Sequence, residues 1–346
     1  MTLKITTWNI EHAGKLIADP PSKAILNRRG RVKNTIDQID PDILCLQEGP
    51  KGEEGIIAFA SEVLENGWSP ILLHEREGTR PNSRAYHQKG TQWIWFLVRA
   101  GLEGRCALQS PGIWQAFTAS TTWPVHFWGQ EEAMQHSHYR HPQVLAYDTG
   151  NNQTIEFIGV HLKSKINRER IIRDDDGNLI GPYVNEAIKA RIKLATEARN
   201  VRQYITSKFN QIEHPHLVIL GDCNDGPGQD YFENAYLFFD LVSNLQGDMI
   251  LAEQFFIHAL IVDPPHLRWT ARFRDEVLGI PASKNPLLLD HILLSRSLVD
   301  GTSNLRIDDE RTKVEHEAYE IFNANCTNST RTSDHRPVSL VLRECT

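Results

Sequence analysis

Short apolar runs recur from one end of the chain to the other, and each carries a polar residue at or near its tip. TTWNI carries Asn9, DILCLQE carries Glu48, IEFIGVHLKS carries His161, and HLVILGDCND carries Asp222 and Asn224. PLLLDHILLS encloses Asp290, and TSDHRPVSLVL opens on Asp334 and His335. Runs of this length and composition read as buried strands. A carboxylate at the end of a buried strand is costly unless something positive meets it. Carboxylates and imidazoles aimed from several strands at one point are what a hard metal ion and a phosphate ester require. The pattern therefore constrains the fold: strands far apart in sequence must converge.

The order of elements narrows the architecture. A strand over 3–10 is followed by a helix near 23–39 that ends before Pro41, a strand over 42–48 and a helix near 54–66. Runs at 69–74 and 92–98 read as strands. Residues 143–149 and 154–161 flank Gly150, Asn151 and Asn152, a turn sequence that predicts an antiparallel hairpin. A long helix near 184–209 carries Ile188, Ile192, Ala195, Ala198 and Val201 at helical spacing. A strand over 216–221 runs into GDCNDGPG, one or two helices are expected in an insertion over 229–262, and strands are expected at 267–273, 287–294 and 337–343. Hairpins mixed with strand–helix alternation favour an α/β (α+β) sandwich: two mostly antiparallel sheets packed together and covered by helices. No boundary splits the polar set, so one domain over 1–346 is expected.

Composition excludes some classes. The net charge of −7 argues against a protein that coats nucleic acid by bulk electrostatics, though not against a local basic cleft. Cys45, Cys106, Cys223, Cys326 and Cys345 are odd in number and form no CxxC pattern, which reads as free thiols in a reducing, cytoplasmic setting. No signal peptide is expected, and no apolar run reaches the ~18 residues of a membrane span.

Each polar position has a bland reading beside the chemical one. Glu48 is an exposed strand end or a metal ligand. Asp222 and Asn224, two apart, point to the same side of an extended segment; they form a plain turn, or an Asp that activates water beside an Asn that donates to a phosphoryl oxygen. Asp334 and His335 enter the last strand through Pro337, as an Asx turn or as site residues. Asp290, among leucines, is hard to place at a surface; buried, it needs a donor, and a His N–H suits it. His291, facing the other way, reads as structural. His161 is a core histidine or a site residue, and Lys163, Lys165, Arg168, Arg170 and Arg173 after it are a solvated face or a local positive field. Asn9 is a backbone-bonded amide or a site residue, and Arg140 a surface pair or a phosphate ligand. Trp114, Trp123 and Trp128 with His126, His136, His138 and His141 fit no zinc spacing and read as an aromatic flap. Asp174, Asp175 and Asp176 lack the other ligands of a calcium loop and read as a turn.

Taken in order, WN, LQE, HLKS, GDCN, LDHILLS and SDHRPV resemble the endonuclease/exonuclease/phosphatase (DNase I-like) superfamily over nearly the whole chain. The resemblance implies a four-layer α/β sandwich and Mg²⁺-dependent hydrolysis of phosphate esters, with Mn²⁺ as a substitute. It implies Glu48 as the metal-binding glutamate, with Asn9 and Asp334 near the metal. It implies His161 at the phosphate or leaving group, Asp222 with Asn224 on the attacking water, and Asp290 paired with His335 on the phosphoryl oxygen. Arg140 and Lys163 would contact substrate. Asn224 is followed by Asp225 and Gly226, where inositol polyphosphate phosphatases carry Tyr and Arg. His161 stands where AP endonucleases carry a tyrosine.

Three functions are then in play. A nuclease acting on DNA or RNA is favoured by the HLKSK run, by the helix bearing Lys189, Arg191, Lys193, Arg199 and Arg202, and by the aromatic segment. A phosphodiesterase or phosphatase for a small or lipid phosphate, sphingomyelinase-like, fits the same site. A silent binding protein on this scaffold would be expected to have lost part of the set.

Overall fold

The apolar runs pair into two sheets. The computed structural model describes residues 2–73, 83–118, 122–127, 129–150, 152–327 and 330–345. In chain order the main elements are β1 (Thr2–Asn9), α1 (Lys23–Ile39), β2 (Ile43–Gly49), α2 (Gly52–Glu62), β3 (Trp93–Arg99), β4 (Gln143–Gly150) and β5 (Gln153–His161). They continue with α3 (Pro182–Phe209), β6 (His216–Asp222), α4 (Leu241–Gln246), β7 (Asp290–Leu294), α5 (His316–Asn323) and β8 (Val338–Glu344). The first sheet runs Leu305–Ile307, β8, β1, β2, β3, Trp68–Pro70, with Lys313–Val314 also on β8. The second runs Ile257–His258, β7, β6, β5, β4, Cys106–Leu108. Pairing is antiparallel except for β1 with β2 and β5 with β6, so the sheets are mixed, as the hairpin signal predicts.

Strand alternation sorts the side chains into layers. Ile5, Cys45, Phe96, Phe157, Val218, Leu220 and Ile292 fill the space between the sheets. The outer face of the first sheet packs Leu44, Leu46 and Leu97 on Val32 and Ile36 of α1 and Phe59 of α2. The outer face of the second packs Ile158, Val160 and Ile219 on Leu194, Ala198 and Val201 of α3 and Leu241 of α4. The result is helix, sheet, sheet, helix. Each fully buried large side chain contributes on the order of 1.5–3 kcal/mol. The sheets pack closely at Gly159, where an added Cβ would lie 2.8 Å from the Cys45 sulfur and 3.1 Å from the Phe96 ring.

Several expected elements are shorter than their sequence signal. The run at 69–74 pairs only over Trp68–Pro70, and residue 74 lies outside the described residues. Strand 267–273 is reduced to Ala271–Arg272, paired with Pro286–Leu287, because Pro264 and Pro265 hold the preceding chain in a 3-10 turn. Strand 287–294 breaks before Asp290. Within 229–262, helix is confined to a turn at Glu233–Leu237, α4 and short 3-10 turns, with the strand Ile257–His258 between them. The acidic triplet is an exposed turn in which Asp174 accepts from the backbone N–H groups of Asp176 and Asn178. Cys45, Cys106 and Cys223 are buried thiols. Among the described residues no helix is long and apolar enough to cross a membrane.

Candidate active site

Strand register builds the centre of the site. Asp222 ends β6 directly opposite His161 of β5 on one side and Asp290 of β7 on the other. Three titratable side chains thus stand abreast at one end of the sheet's interior strands. Gly221 before Asp222 has φ 138°, and a Cβ there would sit 2.0 Å from the Val160 carbonyl oxygen, so only glycine fits where β6 meets β5.

The other sheet reaches across to the same point. Asn9 Nδ2 donates to Asp222 Oδ2 at 2.9 Å. The Trp8 indole donates to the His335 carbonyl at 3.0 Å, and the Ser333 hydroxyl donates to the Asn9 carbonyl and accepts the His335 N–H. His335 Nδ1 lies 2.7 Å from Asp290 Oδ2, and its Nε2 lies 3.9 Å from Asp222 Oδ2. His161 Nε2 lies 3.4 Å from the same oxygen. Asn9 and His335, more than 300 residues apart in sequence, meet on Asp222.

Burial sets the protonation states. It raises the Asp222 carboxyl to about 6, against the pull of the His335 charge, with Asp290 adding to the rise. Burial alone would depress His335, but Asp290 and Asp222 outweigh it and raise the imidazole to about 10. His161 is pushed well below its usual range, first by burial and then by Arg140 and His335, so it is neutral near pH 7. One cationic and one neutral imidazole therefore flank a carboxylate that is ionised above pH 6.

Glu48 stands apart from this triad. It sits at a bulge between β2 and β3 with φ 55°, which turns its side chain out of the regular alternation. Its Oε2 accepts the His12 N–H at 2.8 Å and a close hydrogen bond from Gln92 Nε2. Gln92 Oε1 lies 3.5 Å from Arg140 Nη2, and Arg140 feels the charge of both Asp222 and Glu48. Asp334, one-fifth exposed, lies 3.8 Å from Arg331 Nη2. Burial lowers the Arg28 guanidinium against the charges of Glu11, Asp334 and Glu48. His12 and Gln92 carry no motif; Gln92 opens an apolar run, the mirror image of the signal that marks the other tips.

Some sequence expectations change in detail. Asn224, at φ 53°, uses its backbone N–H on Asp222 Oδ1 and one side-chain N–H on the Leu162 carbonyl, so it braces the turn and has one side-chain N–H left. Lys163 Nζ donates to the Ser164 carbonyl at 2.6 Å, and its backbone N–H meets Glu197. Of the basic helix residues, Arg191 is bound to Asp230 and Arg202 to the carbonyls of Leu245, Gln246 and Gln254, which removes both from any cationic face. In the aromatic segment Trp114 is buried on Tyr204, and His136 is bonded to Glu197; Trp128 lies outside the described residues.

The residues present fit a divalent cation. Asn9 Oδ1 is buried without a partner, and with the Glu48 and Asp334 carboxylates it offers only oxygen donors, the kind a hard divalent cation takes. Asp222, Asp290 and His335 are also close enough to hold an ion, with ligand atoms within 4.8 Å of one another. There, however, His335 is cationic and spends Nδ1 on Asp290, so the trio reads as a hydrogen-bonded Asp290–His335 pair with the Asp222 carboxylate 3.9 Å from Nε2.

The architecture is that of the endonuclease/exonuclease/phosphatase (DNase I-like) fold. Truncated TDP2 from Caenorhabditis elegans matches with a TM-score of 0.52 at 13% identity, covering 99% of this chain and 98% of that one. The endonuclease/exonuclease/phosphatase from Bacteroides vulgatus matches with a TM-score of 0.50 at 12% identity, covering 100% of both chains. At such identities the likeness speaks for the fold alone. No protein-family model and no curated protein matches the sequence.

Proposed function

We propose that this chain is a Mg²⁺-dependent phosphodiesterase that cleaves nucleic acid by in-line attack of water. The observation that carries the proposal is Asp222: buried, raised to about 6, and met at once by Asn9, the Asn224 backbone, His161 and His335. A carboxylate so held can orient a water and take its proton near neutral pH. His335, cationic and fixed by Asp290, donates Nε2–H to a phosphoryl oxygen as charge builds there. His161, neutral, serves the leaving oxygen. Glu48, Asn9 and Asp334 would hold the metal, which when bound neutralises phosphoryl charge. After burial, Arg140 lowers His161, and Lys193 and Arg140 both lower the Lys163 ammonium, so Arg140, Lys163 and Lys193 form a cationic wall beside His161. Such a wall suits phosphates beyond the scissile one and supports nucleic acid over a monophosphate.

The test is a panel of plasmid, single-stranded DNA, RNA and small or lipid phosphate esters with Mg²⁺ or Mn²⁺, and Asp222→Ala as control. Cleavage of nucleic acid that drops by 10²-fold or more in the control supports the proposal. Turnover of small or lipid esters alone would move the substrate to that class, and no turnover of any ester would overturn the reading.

A further inference from the structure

Behind the catalytic turn lies a buried ionic network. Lys165 Nζ makes a close contact with Asp225 Oδ1 and lies 2.9 Å from Asp230 Oδ2 and 3.3 Å from Glu233 Oε1. Asp225 and Glu233 are almost wholly buried. Arg191 of α3 holds Asp230 with Nε at 3.0 Å from both carboxylate oxygens and stacks its guanidinium over Phe232 at 4.8 Å. Asp230 in turn accepts the backbone N–H groups of Phe232 and Glu233, and Glu233 accepts that of Asp230. Three carboxylates and two cations thus tie the 230–233 turn and α3 to one residue, Asp225, which follows Asn224.

Asp225 is also gripped through its backbone. His291 Nε2 donates to the Asp225 carbonyl at 2.7 Å, which leaves His291 Nδ1 as an acceptor for His258 Nε2–H at 2.9 Å. His258 Nδ1 accepts the Leu260 N–H at 3.1 Å, so both tautomers are fixed. Between this anchor and Asp222 sits Asn224 in the left-handed region, which costs a non-glycine residue energy although Asn tolerates it better than most. Its N–H on Asp222 Oδ1 orients the carboxylate.

We propose that Lys165 is the positioning residue of the catalytic turn: through Asp225 it holds Asn224 left-handed and Asp222 aimed at the attacking water. A buried cluster of this kind is weak evidence for stability as such, since apolar replacements often serve as well. Its placement one residue from left-handed Asn224, whose N–H aims the Asp222 carboxylate, assigns it to geometry. The inference rests on the proposed phosphodiesterase activity for its kinetic consequence, but its structural half stands apart from it.

The experiment compares Lys165→Met, Lys165→Arg and, as a control for loss of a remote partly buried pair, Lys208→Met, whose Nζ lies 2.6 Å from Glu156. Amide hydrogen exchange at Asn224 reads the turn without need of activity; kcat and KM read its effect. Lys165→Met should raise Asn224 exchange by 10-fold or more and lower kcat by 10-fold or more at unchanged KM, Lys165→Arg should restore much of both, and Lys208→Met should move neither. Unchanged exchange at Asn224 in folded Lys165→Met would overturn the proposal. So would increased exchange with an unchanged kcat, or equal loss in the Arg variant. An inactive wild type would sink the phosphodiesterase reading while the exchange result still judged the turn.

Discussion

Replacing Asp290 by Asn removes the nearer of the two carboxylates that keep His335 protonated. The folded imidazole stands at about 10 against an ordinary 6.5. At about 1.4 kcal/mol per pH unit, that gap is roughly 5 kcal/mol in favour of the imidazolium. Two carboxylates supply most of it, and Asp290, at 2.7 Å and fully buried, supplies more than Asp222 at 3.9 Å. Losing over half should bring His335 to about 8 or below. The wild-type pH–rate profile should rise through about pH 6 as Asp222 ionises and fall near pH 10 as His335 deprotonates. In Asp290→Asn the falling limb should move down by about two pH units, and loss of orientation should cost a further ~10²-fold in kcat. Stability follows the same sign. Because the folded pKa is raised, His335 contributes stability fully below about pH 6.5 and loses it as pH rises through about 10, earlier in the variant. Imidazole NMR titration and a pH–rate series measure both effects. A wild-type His335 titrating near 6.5, or a variant with an unmoved basic limb, would refute the reasoning.

Glu48→Gln should weaken Mn²⁺ binding by 10-fold or more in calorimetry with the fold intact by circular dichroism; unchanged affinity would remove Glu48 from the metal set. Arg140→Met and Lys163→Met should each raise KM for a nucleic acid and lower the slope of log binding against log salt by about 1; an unchanged slope would show that neither meets a phosphate. Gly159→Ala should destabilise the protein by about 1–3 kcal/mol in urea unfolding, because its methyl meets the Cys45 sulfur at 2.8 Å across the sheet interface; a neutral result would contradict the close approach there.

The strand tips were legible because burial and polarity conflict openly in the sequence: Asp290 among leucines and Asp222 after HLVIL cannot both be incidental. Register then explains why they meet, since β5 and β6 end and the antiparallel β7 begins at one level. What stayed hidden depends on contacts that no spacing encodes. Gln92 touches Glu48 only because β3 pairs with β2 around a bulge, and Arg191 belongs to Asp230 although its helix reads as a cationic face. The 229–262 segment carries enough apolar residues to read as helix, but Asp230, Glu233 and Asp240 spend their side chains on backbone N–H groups, which favours turns and caps over a continuous helix. Strand 267–273 failed for a similarly local reason, the prolines ahead of it.

The most direct measurement of the central claim is cleavage of an oligonucleotide phosphodiester in ¹⁸O-labelled water with Mg²⁺, for the wild type and for Asp222→Asn. One ¹⁸O in the phosphoryl product, formed at least 10²-fold more slowly by the variant, is the result expected of water attacking phosphorus under Asp222. Label in the released alcohol, or an equal rate without the Asp222 carboxylate, would contradict it.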